Sequence, residues 1–173
     1  LNTCEKGPLC EEPIRGVRFN LKDAKLHTDK VHRGDNQIPT RSLMFATMLT
    51  AQPRLLEPVF GVEISVPREH VSKIYTLMTK RRGMVKNVTP EHNNITMTIE
   101  AHLPVAESFG FIQELRGETS GTAFASMVFS HWQIVPGDPL EPGTYANQIM
   151  LDVRRRKNRK VEAPKLEDYL DKL

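Results

Sequence analysis

FGVEISVPREHVSKIYTLMTKRRG, residues 60–83, changes its period halfway along. Phe60, Val62, Ile64 and Val66 recur at every second residue, as on a strand with one buried face. Val71, Ile74, Tyr75 and Met78 then recur at helical spacing, as on one face of a helix. Pro67 suits the helix start, where its missing N–H has no partner to lose. The basic Lys80, Arg81 and Arg82 suit the last turn, and Gly83 the position just beyond it.

Working outward, the alternation of element types continues. A short strand is expected around Met84 to Val88, a turn at TPEHNN (89–94), and a strand in which Ile95, Met97, Ile99, Ala101 and Leu103 point one way. ESFGFIQELRG (107–117) places Phe109, Ile112 and Leu115 on one helical stripe, and a last apolar strand runs through Phe124, Met127 to Phe129 and Trp132. The order β-α-β-β-α-β predicts an α+β fold, the split β-α-β of ferredoxin-like domains.

The flanks read differently. In IRGVRFNLKDAKL (14–26), Val17, Phe19 and Leu21 share one phase while Ala24 and Leu26 take the other, which predicts a strand with a bulge or bend near Lys22 to Asp23. That bend aims LHTDKVHRGDNQ (26–37), a polar stretch with two histidines and mixed charge. SLMFATMLTAQ (42–52) carries Leu43, Met44, Thr47, Met48 and Ala51 at helical spacing and stops before Pro53. VPGDPLEPG (135–143) is a Pro/Gly linker, followed by a helix bearing Tyr145, Ile149 and Val153 and ending in RRRKNRK (154–160).

With 39% apolar and 26% charged residues, the 173-residue chain is globular in composition, with enough apolar side chains for one or two modest cores. Net charge is only +3, but the basic run at 154–160 concentrates it, fitting either a solvated helix face or an acidic partner. Two cysteines, Cys4 and Cys10, are too few for a disulfide scaffold and fit a reducing compartment, cytoplasm or nucleus. The longest stretch free of Lys, Arg, Asp and Glu, Thr119 to Gly137, is interrupted by Gly, Ser, His131 and Pro136, a poor membrane span. No signal peptide opens the chain, and a first residue of Leu reads as a segment of a longer protein.

Nucleotide hydrolysis needs a glycine loop that cradles phosphates, and neither GxxxxGK[ST] nor GxGxxG occurs. An iron–sulfur cluster needs four thiolates, and the chain has two. Cys4, Cys10, His27 and His32 lack zinc-finger spacing, so no metal is assigned. There is no nucleophile elbow, and His102 and His131 read as structural or exposed. Residues 26–37 are open to two readings: a hairpin tip that is polar because water surrounds it, or an RNA contact in which His27, Lys30, His32 and Arg33 meet phosphates.

EEPIRGVRFNLKDAKLHTDKVHRG (11–34), LTAQPRLLEPVF (49–60), LPVAESFGFIQELR (103–116), FSHWQIVPGDPL (129–140) and YLDKL (169–173) together resemble the C-terminal end of eukaryotic-type elongation factor 2, the ribosomal translocase. The similarity spans the whole chain in order. It implies that residues 1–57 are the C-terminal part of domain IV, related to a ribosomal protein S5 domain 2-like fold, with the tip loop at 26–37. Residues 58–135 are domain V, ferredoxin-like, and residues 136–173 a linker and helix returning to domain IV.

The resemblance further implies that the tip enters the decoding centre during GTP-dependent movement of peptidyl-tRNA and mRNA from A site to P site. The family motif there is LHADAIHRGGGQ, whose second histidine becomes diphthamide; that position is His32, with His27, Asp29, Lys30, Arg33 and Gly34 as further tip contacts. Asp35-Asn36 stand where the family has two glycines, and the stretch from there to Ala46 is about two residues shorter than usual. Lys80, Arg81 and Arg82 are expected either as rRNA contacts or as a capped helix end. Implied partners are the ribosome and the N-terminal GTPase domains of the same factor, in the cytoplasm and without a membrane. GTP and Mg2+ belong to the full-length GTPase, and no cofactor or catalytic motif is expected here. The spliceosomal GTPase that resembles this factor shares HWQIVPGDP, but LHTDKVHRG and YLDKL side with the translation factor. From another class, residues 58–135 alone read as a stand-alone ferredoxin-like binding module.

Overall fold

The structure is a computed structural model in which residues 2–23, 37–91 and 95–169 are described. It divides into two compact units, one of residues 1–55 with 135–173 and one of residues 56–134. Among the described residues no helix is long and apolar enough to cross a membrane.

Among its described residues the second unit holds four strands and two α-helices. They are β1 (Leu56–Pro67), α3 (Val71–Lys80), β2 (Met84–Pro90), β3 (Thr96–Pro104), α4 (Phe111–Glu118) and β4 (Phe124–Ile134), with α1 (Asn2–Glu5) and α2 (Gln37–Thr50) lying earlier in the chain. The sheet runs β2-β3-β1-β4 with every pair antiparallel, the ferredoxin-like split β-α-β. The alternation that predicted β1 buries Val62, Ile64 and Val66 at 3% exposure or less. They join Ile99, Ala101 and Leu103 of β3, Ile74, Leu77 and Met78 of α3, and Phe111 and Leu115 of α4 in one core. Each large side chain fully removed from water there contributes about 1.5–3 kcal/mol before chain entropy is set against it.

Two helical phases differ from expectation. Tyr75 is half-exposed where Leu77 is buried, and Phe109 is exposed where Phe111 is fully buried. Gly110, at φ 73°, reverses the backbone immediately before α4, so the helix starts at Phe111 and that ring becomes the inward one.

The first unit contains α1 (Asn2–Glu5), α2 (Gln37–Thr50) and α5 (Tyr145–Arg156). Leu9, Cys10 and Met150 form its buried cluster, with Leu49, Leu140 and Val153 packed against it. Thr144 caps α5: its hydroxyl accepts the Asn147 N–H at 3.1 Å and donates to the Asp138 carbonyl at 2.6 Å. The strand expected from residue 14 is not formed over the described residues 14–23, where Val17 and Leu21 are exposed. A strand exists through its ladder, and among the described residues no sheet ladder includes this segment. Residues 24–36, which carry the rest of that expectation, lie outside the described residues.

Candidate functional site

His27, Asp29, Lys30, His32, Arg33 and Gly34 all lie outside the described residues. Of the candidate residues, Lys80, Arg81 and Arg82 are described. They sit where α3 turns into β2, a turn built by an unusual division of labour. The Gly83 N–H bonds the Met78 carbonyl at 2.7 Å and the Arg82 N–H bonds the Thr79 carbonyl at 3.2 Å, the paired bonds of a Schellman cap. The left-handed position is held by Arg82, at φ 56°, and not by the glycine. Gly83 is needed for space: a Cβ there would run into the Met78 methyl and stand 3.2 Å from two carbonyl oxygens.

The three cations have different fates. Arg81 donates through Nε and Nη2 to one oxygen of Glu114, at 2.9 and 2.5 Å, and through Nη1 to the carbonyls of Glu107 and Phe109. Arg82 forks onto Glu57, Nη2–Oε1 2.5 Å and Nη1–Oε2 3.3 Å, and Gln133 donates to the same carboxylate at 3.0 Å. Glu57 is buried, so this fork compensates a desolvated charge. Lys80 bonds the other oxygen of Glu114 at 2.6 Å, yet its side chain is 69% exposed against 17% for Arg81. Hydrogen bonds from Lys80 and then Arg81 hold the Glu114 carboxyl below the usual carboxylate range. The trio therefore divides: Arg81 and Arg82 tie helix end to strand and loop, and Lys80 presents an ammonium that can meet a phosphate. No local pattern marks Glu57 and Glu114, whose partners Arg82 and Arg81 are 25 and 33 residues distant.

His102 and His131 come together on the sheet. They project from β3 and β4 on either side of β1 near Gly61, with ring centroids 4.7 Å apart. Both edge strands slip register here, leaving Lys86 of β2 and Ser130 of β4 as extra residues. The Ser130 hydroxyl and His131 Nδ1 are hydrogen-bonded at 3.0 Å. Burial first, then Lys86 and His131, push the His102 pKa down, which keeps that ring neutral near pH 7. Among the described residues no group of three or more His, Cys, Asp and Glu side chains is placed to hold a metal ion.

Three cations of the basic run 154–160 reach back to residues 9–12, although 155–160 are all exposed. Lys157 donates to the carbonyls of Cys10 and Glu11 and to the Glu12 carboxylate, Arg159 pairs with Glu11 at 3.0 Å, and Arg154 donates to the Leu9 and Lys160 carbonyls. The end of α5 and the residues just after it thus hold residues 9–12, while 155–160 stay exposed as on a solvated face. Cys10 is buried there, and that burial raises its thiol pKa.

Comparison with known families gives two matches in tandem. A model described as "Elongation factor G, domain IV" matches residues 2–52, and one described as "Elongation factor G C-terminus" matches residues 54–142.

Proposed function

Because this chain belongs to the elongation factor G C-terminus family, matched over more than half its length, we propose that it is the C-terminal part of a eukaryotic-type elongation factor 2. In this reading it promotes GTP-dependent translocation of peptidyl-tRNA and mRNA from A site to P site on cytoplasmic ribosomes. The observation that carries the reading is the tandem order of the two matches, domain IV followed directly by the C-terminus. LHTDKVHRG at 26–34 supports the eukaryotic-type assignment.

The work of this part is mechanical. GTP and Mg2+ act in N-terminal GTPase domains of the same factor; this chain has no phosphate loop to hold them. Hydrolysis there changes domain orientation, and the tip loop 26–37 favours the translocated state by contacts it makes only in that state. His32 carries diphthamide, and His27, Asp29, Lys30, Arg33 and Gly34 shape the surface presented to tRNA and mRNA. In the C-terminal domain, Lys80 is the rRNA contact while Arg81 and Arg82 hold the turn that presents it.

The test is co-sedimentation of the chain with ribosomes and, separately, with small nuclear ribonucleoprotein particles. Pelleting with ribosomes alone is expected. Pelleting with the nuclear particles moves the assignment to the spliceosomal relative, and pelleting with neither leaves a stand-alone binding module.

A further inference from the structure

Within the unit of residues 1–55 and 135–173, a cleft of about 700 Å³ opens between the start of α2, the end of α5 and residues 162–169. That is the size of an ordinary small-molecule site. Its cations are Arg41, Arg154, Arg159, Lys160 and Lys165. Two are engaged: Arg154 by the Leu9 and Lys160 carbonyls, Arg159 by Glu11. Of the lining carboxylates, Asp168 accepts the Lys165 backbone N–H at 3.3 Å. Among the described residues, Arg41, Lys160 and Lys165 form no ion pair with a carboxylate, so three cations face two acids, Glu162 and Asp168, the backbone bond to Asp168 leaving its charge in place.

The cleft also has a flat wall. The Arg41 guanidinium lies over the Phe45 ring, 5.2 Å from its centroid, and Tyr169 meets Phe45 edge-on at 5.4 Å. The Phe45 ring is buried and the Arg41 guanidinium over it is exposed, so the guanidinium's outer plane is open to stack on a nucleobase. The Tyr169 phenol sits among Arg154, Asp168, Arg41 and Glu11, and burial raises its pKa, so it remains a hydrogen-bond donor.

From this combination of unpaired cations, planar wall and volume, we propose that the cleft binds one phosphorylated nucleoside unit, phosphate on Lys160 and Lys165 and base on Arg41. The unit comes either as a free mononucleotide or as one nucleotide of single-stranded RNA. The residues lining the site include neither any of 26–37 nor Lys80, and its test requires no ribosome.

The test is amide NMR titration of the 173-residue chain with AMP, inorganic phosphate and a six-nucleotide adenylate RNA at fixed salt. AMP is expected to shift amides around Phe45, Lys160 and Tyr169 and to bind about fivefold tighter than phosphate, the difference being the stacked base. Lys160→Gln with Lys165→Gln weakens both by about tenfold or more. Arg41→Gln brings AMP down to the phosphate level while phosphate itself changes by less than about twofold. RNA binding tighter than AMP identifies a strand as the source, and equal binding identifies the free nucleotide. Absence of cleft shifts, survival of binding in the double lysine variant, or an equal loss in the control Arg116→Gln overturns the proposal. Dispersed spectra of each variant report that it is folded, and no arm uses ribosomes, so failure here leaves the co-sedimentation result standing.

Discussion

Arg82 and Glu57, 25 residues apart in the chain, are joined by a two-toothed ion pair that fastens the end of α3 to the beginning of β1. The carboxylate is 8% exposed and the guanidinium 27%, so the acid is the partner that suffers if the pair is broken.

Arg82→Ala strands a buried charge and is expected to destabilise the ferredoxin-like unit by about 2–4 kcal/mol, moderated by the partial exposure of the arginine. Arg82→Gly loses the same pair but relieves the left-handed backbone at φ 56°, which returns about 1 kcal/mol. Urea unfolding followed by Trp132 fluorescence checks the order. Equal midpoints for the alanine and glycine variants contradict the assignment of Arg82 to the strained position.

Thr144 couples the linker to α5, because one hydroxyl both caps the helix and ties back to Asp138. Thr144→Ala is expected to cost about 1 kcal/mol and Thr144→Ser almost nothing, read from the helical circular dichroism signal in urea. Gly137→Ala should be worse, about 2 kcal/mol or more, since its φ of 95° is combined with a Cβ that would stand 2.9 Å from the Thr144 Cβ.

Periodicity alone located the elements of the ferredoxin-like unit, because β1, α3, β3 and α4 each have one face in water and one in the core. It was less able to fix helical phase. The inward residue depends on where the backbone enters the helix: Gly110 made Phe111 the core ring, and the Thr144 cap turned Ala146 and Met150 inward beside the expected Tyr145 stripe. Long-range pairs left no local trace, so Lys80, Arg81 and Arg82 read as one basic cluster although Glu57 and Glu114 divide them. The tip reading rests on resemblance alone, since residues 24–36 lie outside the described residues.

Stability should depend on pH in two separable windows. The folded His102 has a lowered pKa, so as pH falls through about 6.5 the unfolded chain takes up a proton before the native one does. Its neutral form therefore contributes fully above that point and loses ground as acid is added. Glu114, also lowered, contributes above about pH 4.3, and that contribution is lost as pH falls through its folded value. Urea midpoints measured between about pH 8 and pH 3 should lose the upper slope in His102→Gln and flatten at the acid end in Glu114→Gln. An unchanged upper slope in His102→Gln contradicts the burial argument.

The tip prediction concerns charge. Asp35 stands two residues after Arg33 where the resembling family has glycine, and a carboxylate there would oppose the phosphate contacts proposed for His32 and Arg33. Asp35→Gly is expected to tighten ribosome binding by about two- to fivefold, the worth of one screened surface charge, with the gain shrinking as salt rises. Asn36→Gly changes no charge and should leave the salt dependence alone. Mass analysis of the peptide from Val31 to Arg41, taken from a cell that makes diphthamide, should show His32 heavier than histidine. An unmodified mass removes His32 from the mechanism, while equal ribosome affinity for Asp35→Gly and the parent chain removes the electrostatic argument for the tip as a whole.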